Sequence, residues 1–414
     1  MTNTKRLPLL PIPGPLMGSE IGSFAHHTVT VRLPDIARRA IQENSFSPGI
    51  VRRIERLIQE IPDSPIRYLE DNQAPDAVGW SRASEPYLGK SWLDSPWFFA
   101  ETYFYRRMLE ATGFFSQGEG YGLDPYHYQK IKGLESPIDD ILRLAGQVNQ
   151  LFNGVYDPQD VLERLLLVNL WANQVDLSLW PVGQADRPDH ADPGNTLSYV
   201  LIDQRNPAAS YIARLPGSGQ LEAIHIDFLI DNAGYELVCD LCLADALLGL
   251  RFAGEVQFNL KIHPTFVSDA MIGDVLQTVE FLLKRPEAPI SRLGERLSDY
   301  LASGRLILKD HPFWTSPYAM WDMPEDILRL LSQSSLVISK GDANYRRLLG
   351  DRHWHNTDAF DRITHYLPAP LVALRTLKSD PLVGLSVGQA QATNLRDAKW
   401  RTDGRWGIIQ LKVK

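Results

Sequence analysis

From residue 223 onward, short apolar runs alternate with stretches of helical periodicity. The runs are "AIHIDFLI" (223–230), "EVQFNLKIH" (255–263), "RLILKD" (305–310), "SLVISK" (335–340), "PLVALRT" (370–376) and "WGIIQLKV" (406–413). Between them, a helix from Ala233, "MIGDVLQTVEFLL" (271–283) and "PEDILRLLSQ" (324–333) space their apolar residues three and four apart. Strands alternating with helices predict right-handed crossovers and a mainly parallel sheet covered on both faces, a three-layer α/β/α sandwich. Upstream the pattern is mostly helical. "SPIDDILRLAGQVNQLF" places Ile138, Ile141, Leu142, Ala145, Val148, Leu151 and Phe152 at helical spacing, with Ser136 as the expected N-cap and Pro137 at the first helical position. "SPWFFAETYFYRRMLEATGFF" opens the same way at Ser95-Pro96, and "PQDVLERLLLVNLWANQVDLSLW" is apolar enough to be buried. A stretch rich in Pro, Gly and Asp, 181–195, reads as a linker or surface loop. The expected organisation is a mostly helical N-terminal region, 1–190, followed by an α/β domain, 191–414.

Composition narrows the classes. The 414 residues carry a net charge of -8 and no block of Lys and Arg, which argues against a nucleic-acid partner. No segment approaches ~20 unbroken apolar residues, so no membrane partner is expected and the location is expected to be cytoplasmic. The opening "MTNTKRLPLLPIPGPLMG" is broken by prolines and reads as a surface arm rather than a signal peptide. The only cysteines, Cys239 and Cys242, form a C-x-x-C inside an apolar helical pattern. With no second pair to complete a zinc site, core packing is expected of them. The ten histidines show no H-x-x-x-H or H-x-E spacing, and none is assigned to a metal.

In an open parallel sheet, ligands bind beyond the carboxyl ends of the strands. "AIHIDFLI" ends at Asp231-Asn232, and Gly234 permits a tight turn into the next helix. Asp269 lies just past the next strand. Consecutive parallel strands put these residues on one edge, where two carboxylates and an amide oxygen suit a hard divalent cation. The same residues also suit a helix N-cap and a turn. Lys340, Asp342, Asn344 and Arg346 follow "SLVISK", and Arg375 and Lys378 follow "PLVAL". Cations at such turns are natural phosphate partners or solvated helix-end charges. Trp314 is read either as a wall of the site or as a packed loop residue, and Arg106 and Arg107 as a solvated helix face.

The segments "DNAGYELVCDLCLADALL", "HPTFVSD", "FWT", "KGDANYRRLLGDRHW" and "RTLK" together resemble the metal-dependent damage-control phosphatases. The likeness is to their sugar-phosphate phosphatase subfamily, also known as acidic residue methyltransferase-like proteins, which carries an R-T-x-K signature. "WFFAETYFYRRML" and "LLLVNLWANQVDLSLW" extend it over most of the chain. The resemblance implies an α/β/α sandwich with a helical N-terminal portion. It implies hydrolysis of phosphate monoesters, with small phosphorylated metabolites such as fructose 1-phosphate and fructose 6-phosphate as substrates, using Mn, Co, Ni or Mg. By the motifs, the implied metal ligands and catalytic residues are Asp231, Asn232 and Asp269. The implied substrate contacts are Glu236, Asp342 to Arg346, and Lys378.

On this reading Arg346 and Lys378 offset charge on the phosphate, as catalysis of phosphoryl transfer requires. The absence of D-x-D-x-T favours water over an aspartyl nucleophile. Two other readings stand beside it. One is S-adenosylmethionine-dependent methylation of protein carboxylates, for which "LPGSGQ" is the only Gly-rich turn. The other is a non-catalytic sensor of sugar phosphates or nucleotides, which would be expected to have lost a ligand.

Overall fold

The computed structural model describes residues 6–154, 156–172, 197–218 and 220–413. The 181–195 loop, the boundary at 190/191 and the end of the helix expected over 158–180 lie outside the described residues. Seven strands form one sheet in the order β1-β7-β6-β5-β2-β3-β4. They are β1 (Val200–Asp203), β2 (His225–Leu229), β3 (Glu255–Leu260), β4 (Leu306–Asp310), β5 (Leu336–Lys340), β6 (Leu371–Thr376) and β7 (Gly407–Lys412). Strands β4, β3, β2, β5 and β6 are parallel, whereas β7 runs antiparallel to β6 and pairs parallel with β1. The mainly parallel α/β sheet read from the sequence is therefore present; the last run, β7, proves to run in reverse, and one unread strand, β1, is added beside it. Every residue of β5 and β6 is buried, which is why these strands read as continuous apolar runs. Strand β1 escaped the pattern because it is short and lies at the sheet edge, with three half-exposed residues and one, Asp203, exposed.

Helices cover both faces. Ile138–Leu151, Pro158–Trp171, Tyr235–Gly249, Ile272–Leu283 and Ala288–Ala302 share one apolar core with β2 and β3. Of the first two, expected as part of the helical region, Pro158–Trp171 packs on β6 and β7, and Ile138–Leu151 packs outside it on Tyr235–Gly249 and Ala288–Ala302. Phe313, Trp314, Trp321, Leu348 and Trp400 fill a second core on the opposite face. A third core joins Leu33–Glu43, Pro48–Glu60 and Trp97–Thr112. Cys239 and Cys242 are buried free thiols inside Tyr235–Gly249, as their apolar setting predicted. The helix Ile138–Leu151 starts after Pro137 with no side-chain cap, so Ser136 does not serve as one.

Arg106 and Arg107 are buried rather than solvated. Arg106 pairs with Asp71 and Asp76, and Arg107 with Glu60 and Glu110. Trp314 is a packed residue at 2% exposure. Buried Lys130 reaches both Asp124 and Asp274, at 2.9 and 2.8 Å, and so ties the helical core to the helix after β3. Among the described residues, no helix is long and apolar enough to cross a membrane.

Candidate active site

After β2 the chain moves outward to β3 and β4; it then returns to the other side of β2 to lay down β5 and β6. The crevice between β2 and β5 is therefore a topological switch point, where parallel sheets hold their ligands. A cavity of about 620 Å³ opens there. Asp231 and Asn232 leave the end of β2, while Ser268 and Asp269 come from the loop after β3. Two backbone hydrogen bonds weld these loops together, Ala233 N to Ser268 O at 2.7 Å and Ala270 N to Asp231 O at 2.8 Å. That pairing brings Asn232 opposite Asp269 as an isolated antiparallel bridge. Phe266 and Val267, at φ of 46° and 67°, carry the loop through a region non-glycine residues rarely adopt.

Asp231, Asn232, Asp269, Asp342, Arg346 and Lys378 all line the cavity. Asn232 is held on both sides of its amide. Its Nδ2 donates to Asp231 Oδ2 at 2.9 Å and Glu236 Oε2 at 2.7 Å, and its Oδ1 accepts from Ser268 Oγ at 2.6 Å. Burial pushes the Asp231 carboxyl well above its ordinary range; Asp269 and Glu236 push it further, and Lys261 and Lys378 only partly offset them. Asp269 is raised in the same way by burial, against the pull of Lys261 at 3.0 Å. Gly341, at φ 79°, opens the next helix against Asp231; a Cβ there would sit 1.8 Å from Asp231 Oδ2. Asp342 behaves oppositely. Burial alone would raise its carboxyl, but Arg375 and Arg346 overcome that and hold it below the usual range.

The remaining sequence candidates do not line the cavity. Glu236 lies beneath it, accepting from Asn232 and facing Lys340 Nζ at 3.7 Å. Lys340 points to the other side of the sheet, pairing with Asp240 at 2.7 Å and donating to the Asn169 carbonyl at 2.9 Å. Asn344 donates to the carbonyls of Leu229, Ile230 and Lys340, fastening the ends of β2 and β5. Arg375 is wholly buried; it holds Asp342 at 2.7 Å and the Ser379 and Pro381 carbonyls. Arg346 does reach the cavity, but its guanidinium is already clamped by Glu101 and Asp351 and lies 3.6 Å over the Trp97 ring. The opposite wall, from Phe24, Arg32, Ile36, Arg39, Tyr105 and Gln129, was not anticipated. Its signal in the sequence is the face Arg32-Ile36-Arg39, at helical spacing.

Among the described residues, no three His, Cys, Asp or Glu side chains gather into a metal-binding group. The candidate set is two carboxylates and an amide. Its chemistry fits a divalent cation, because two buried acids repel each other as anions and a positive ion relieves both burial and repulsion. The fold and cavity define a doubly wound α/β protein with an acidic, cation-fringed ligand site at its switch point.

A family model described as "Damage-control phosphatase ARMT1-like domain" matches residues 28–393. The damage-control phosphatase ARMT1 of Danio rerio is 32% identical, covering 94% of this chain and 95% of the relative. That of Homo sapiens is 30% identical over 96% and 98%. A crystal structure of a DUF89 family protein from Pyrococcus horikoshii covers 91% of this chain and 95% of its own, with a TM-score of 0.44 and 12% identity. The chain belongs to the damage-control phosphatase ARMT1-like family.

Proposed function

We propose that the chain is a metal-dependent phosphoric monoester hydrolase acting on small phosphorylated metabolites, with ketose phosphates such as fructose 1-phosphate and fructose 6-phosphate as the first substrates to test. The observation that carries this reading is the convergence of Asp231, Asn232 and Asp269 at one end of a cavity that also holds Lys378. These three side chains would hold Mn, Co, Ni or Mg, which when bound supplies charge neutralisation and Lewis acidity to a phosphate oxygen. Lys378 is exposed on the cavity rim and presents its ammonium to the phosphate. The helix Gly341–Leu349 opens into the same space, and its first amides favour an anion. Arg346, neutralised by Glu101 and Asp351, shapes the wall more than it supplies net charge. Asp342 is kept ionised by Arg375, so it accepts hydrogen bonds from sugar hydroxyls or water rather than donating a proton. Glu236, Asn344 and Arg375 act by positioning, since each holds a residue or strand end at the cavity, and Lys340 stands one step further back, facing Glu236.

The alternative reading, S-adenosylmethionine-dependent methylation of protein carboxylates, gains little support from the Gly-rich turn. Its described part, Leu215–Ser218, follows the helix Arg205–Arg214 rather than a strand. The test is phosphate release from both fructose phosphates with Mn, beside Asp231→Ala. Release abolished by chelator and by the substitution is expected. Release indifferent to both would reject the site, and no release from any phosphate ester would reject the activity.

A further inference from the structure

Resting on the phosphatase reading, we infer that the cavity contains a second anion subsite built on Arg32, with Arg39 beside it. Its preferred substrates carry an anionic group at the end remote from the scissile phosphate, as a sugar bisphosphate does. The charge pairing of the cavity wall leads there. Glu101 is matched by Arg346, Asp342 by Arg375, Asp269 by Lys261 and Asp35 by Arg38. Among the described residues, no carboxylate lies within 4.0 Å of the side-chain nitrogens of Arg32 or Lys378. Arg39 has only Glu43, at 3.9 Å. Lys378 stands with the Asp231 group and serves the transferred phosphate. Arg32 and Arg39 belong instead to the wall contributed by the helical region, and no other group on that wall needs their charge.

Arg32 is also built into place. It closes a five-residue π-turn, Thr28–Arg32, between Phe24–His27 and the helix Leu33–Glu43. Such wide turns are rare and recur at functional sites. Its guanidinium lies 4.8 Å from the Phe24 ring centroid, and Phe24 packs edge-on against Trp97 at 5.9 Å. Nη1 donates to Thr28 Oγ1 at 3.2 Å, which leaves the rest of the guanidinium fork for a ligand. A planar fork of donors is the side chain best matched to a phosphate or carboxylate. The cavity, at about 620 Å³, has room for a whole small metabolite rather than a lone phosphate.

The experiment compares a hexose monophosphate with the matching hexose bisphosphate on wild type, Arg32→Gln and Arg32→Lys. Phosphate release is measured with Mn, and binding of each ester to the metal-free protein is measured by calorimetry at constant ionic strength. Wild type should bind the bisphosphate more tightly by about 10- to 100-fold, the worth of a charge-assisted contact. Arg32→Gln should erase that preference, raising KM for the bisphosphate with kcat within about twofold, and Arg32→Lys should restore part of it. Equal wild-type affinity for the two esters, or equal weakening of both by Arg32→Gln, would overturn the subsite. If neither ester releases phosphate, the phosphatase reading fails, while calorimetry still decides the subsite.

Discussion

Asp231 and Asp269 are buried acids that repel each other, with Lys261 and Lys378 as incomplete compensation. Their position was legible because a strand in this fold must end at the ligand edge, and a polar residue there stands out against an apolar run. Lys340 and Arg375 misled for a related reason. Side chains along a strand alternate between faces, and position in the chain does not say which face a terminal residue takes. Both turned inward, where buried Asp240 met Lys340 and half-buried Asp342 met Arg375. His263 shows the same burial acting on a neutral group. Its ring is enclosed, and burial holds its pKa down to about 4, against the pull of Asp76. A histidine depressed in the folded state binds fewer protons than the unfolded chain between the two pKa values. Stability from this residue should therefore fall as pH drops from about 6.5 toward 4, by at most on the order of 3 kcal/mol. Urea unfolding at pH 7 and pH 4.5 should show a larger loss in wild type than in His263→Phe; identical losses would remove His263 from the account.

At the scale of elements, the site depends on how helices begin. Gly341 starts its helix in the left-handed region, and Asp231 occupies the place a Cβ would take. Gly341→Ala should therefore move the Asp231 carboxylate as well as strain the turn. We expect a loss of about 1–3 kcal/mol in urea unfolding together with weakened Mn binding; unchanged Mn affinity would show that the contact between these elements does not matter. Gly234, at φ 75°, sits so close to the helix His127–Glu135 that a Cβ would meet the Gly133 carbonyl carbon at 3.0 Å. The alternating pattern gave six of the seven strands, most plainly β5 and β6, which are buried throughout and have no polar face to disguise them. Helix starts were less legible. Ser136 looked like a cap, yet its backbone continues the end of the helix His127–Glu135. The "FWT" segment found its explanation only in space. Buried Arg347 donates to the carbonyls of Trp314, Ser316 and Tyr318, and so pins that loop to the helix after β5.

Over the whole molecule, one cavity is walled by two regions remote in sequence. The sheet edge supplies the carboxylates and Lys378; residues 24–39, 97–105 and 129 supply the facing wall. No spacing in the chain ties the two together, so the helical face Arg32-Ile36-Arg39 was visible as a pattern but its place opposite the sheet edge was not. Their alignment rests on few buried polar ties, chiefly Lys130 to Asp124 and Asp274, and Arg346 to Glu101. Lys130→Met leaves two acids buried without their cation and should cost about 3–5 kcal/mol in denaturant unfolding. A loss under about 1 kcal/mol would place the tie among ordinary surface pairs. The central claim is that Asp231, Asn232 and Asp269 grip one divalent ion. Equilibrium dialysis against Mn, with wild type beside Asp269→Ala, tests it most directly. The account predicts one tightly held ion per wild-type chain and none in the variant; equal Mn content in the two proteins would contradict it.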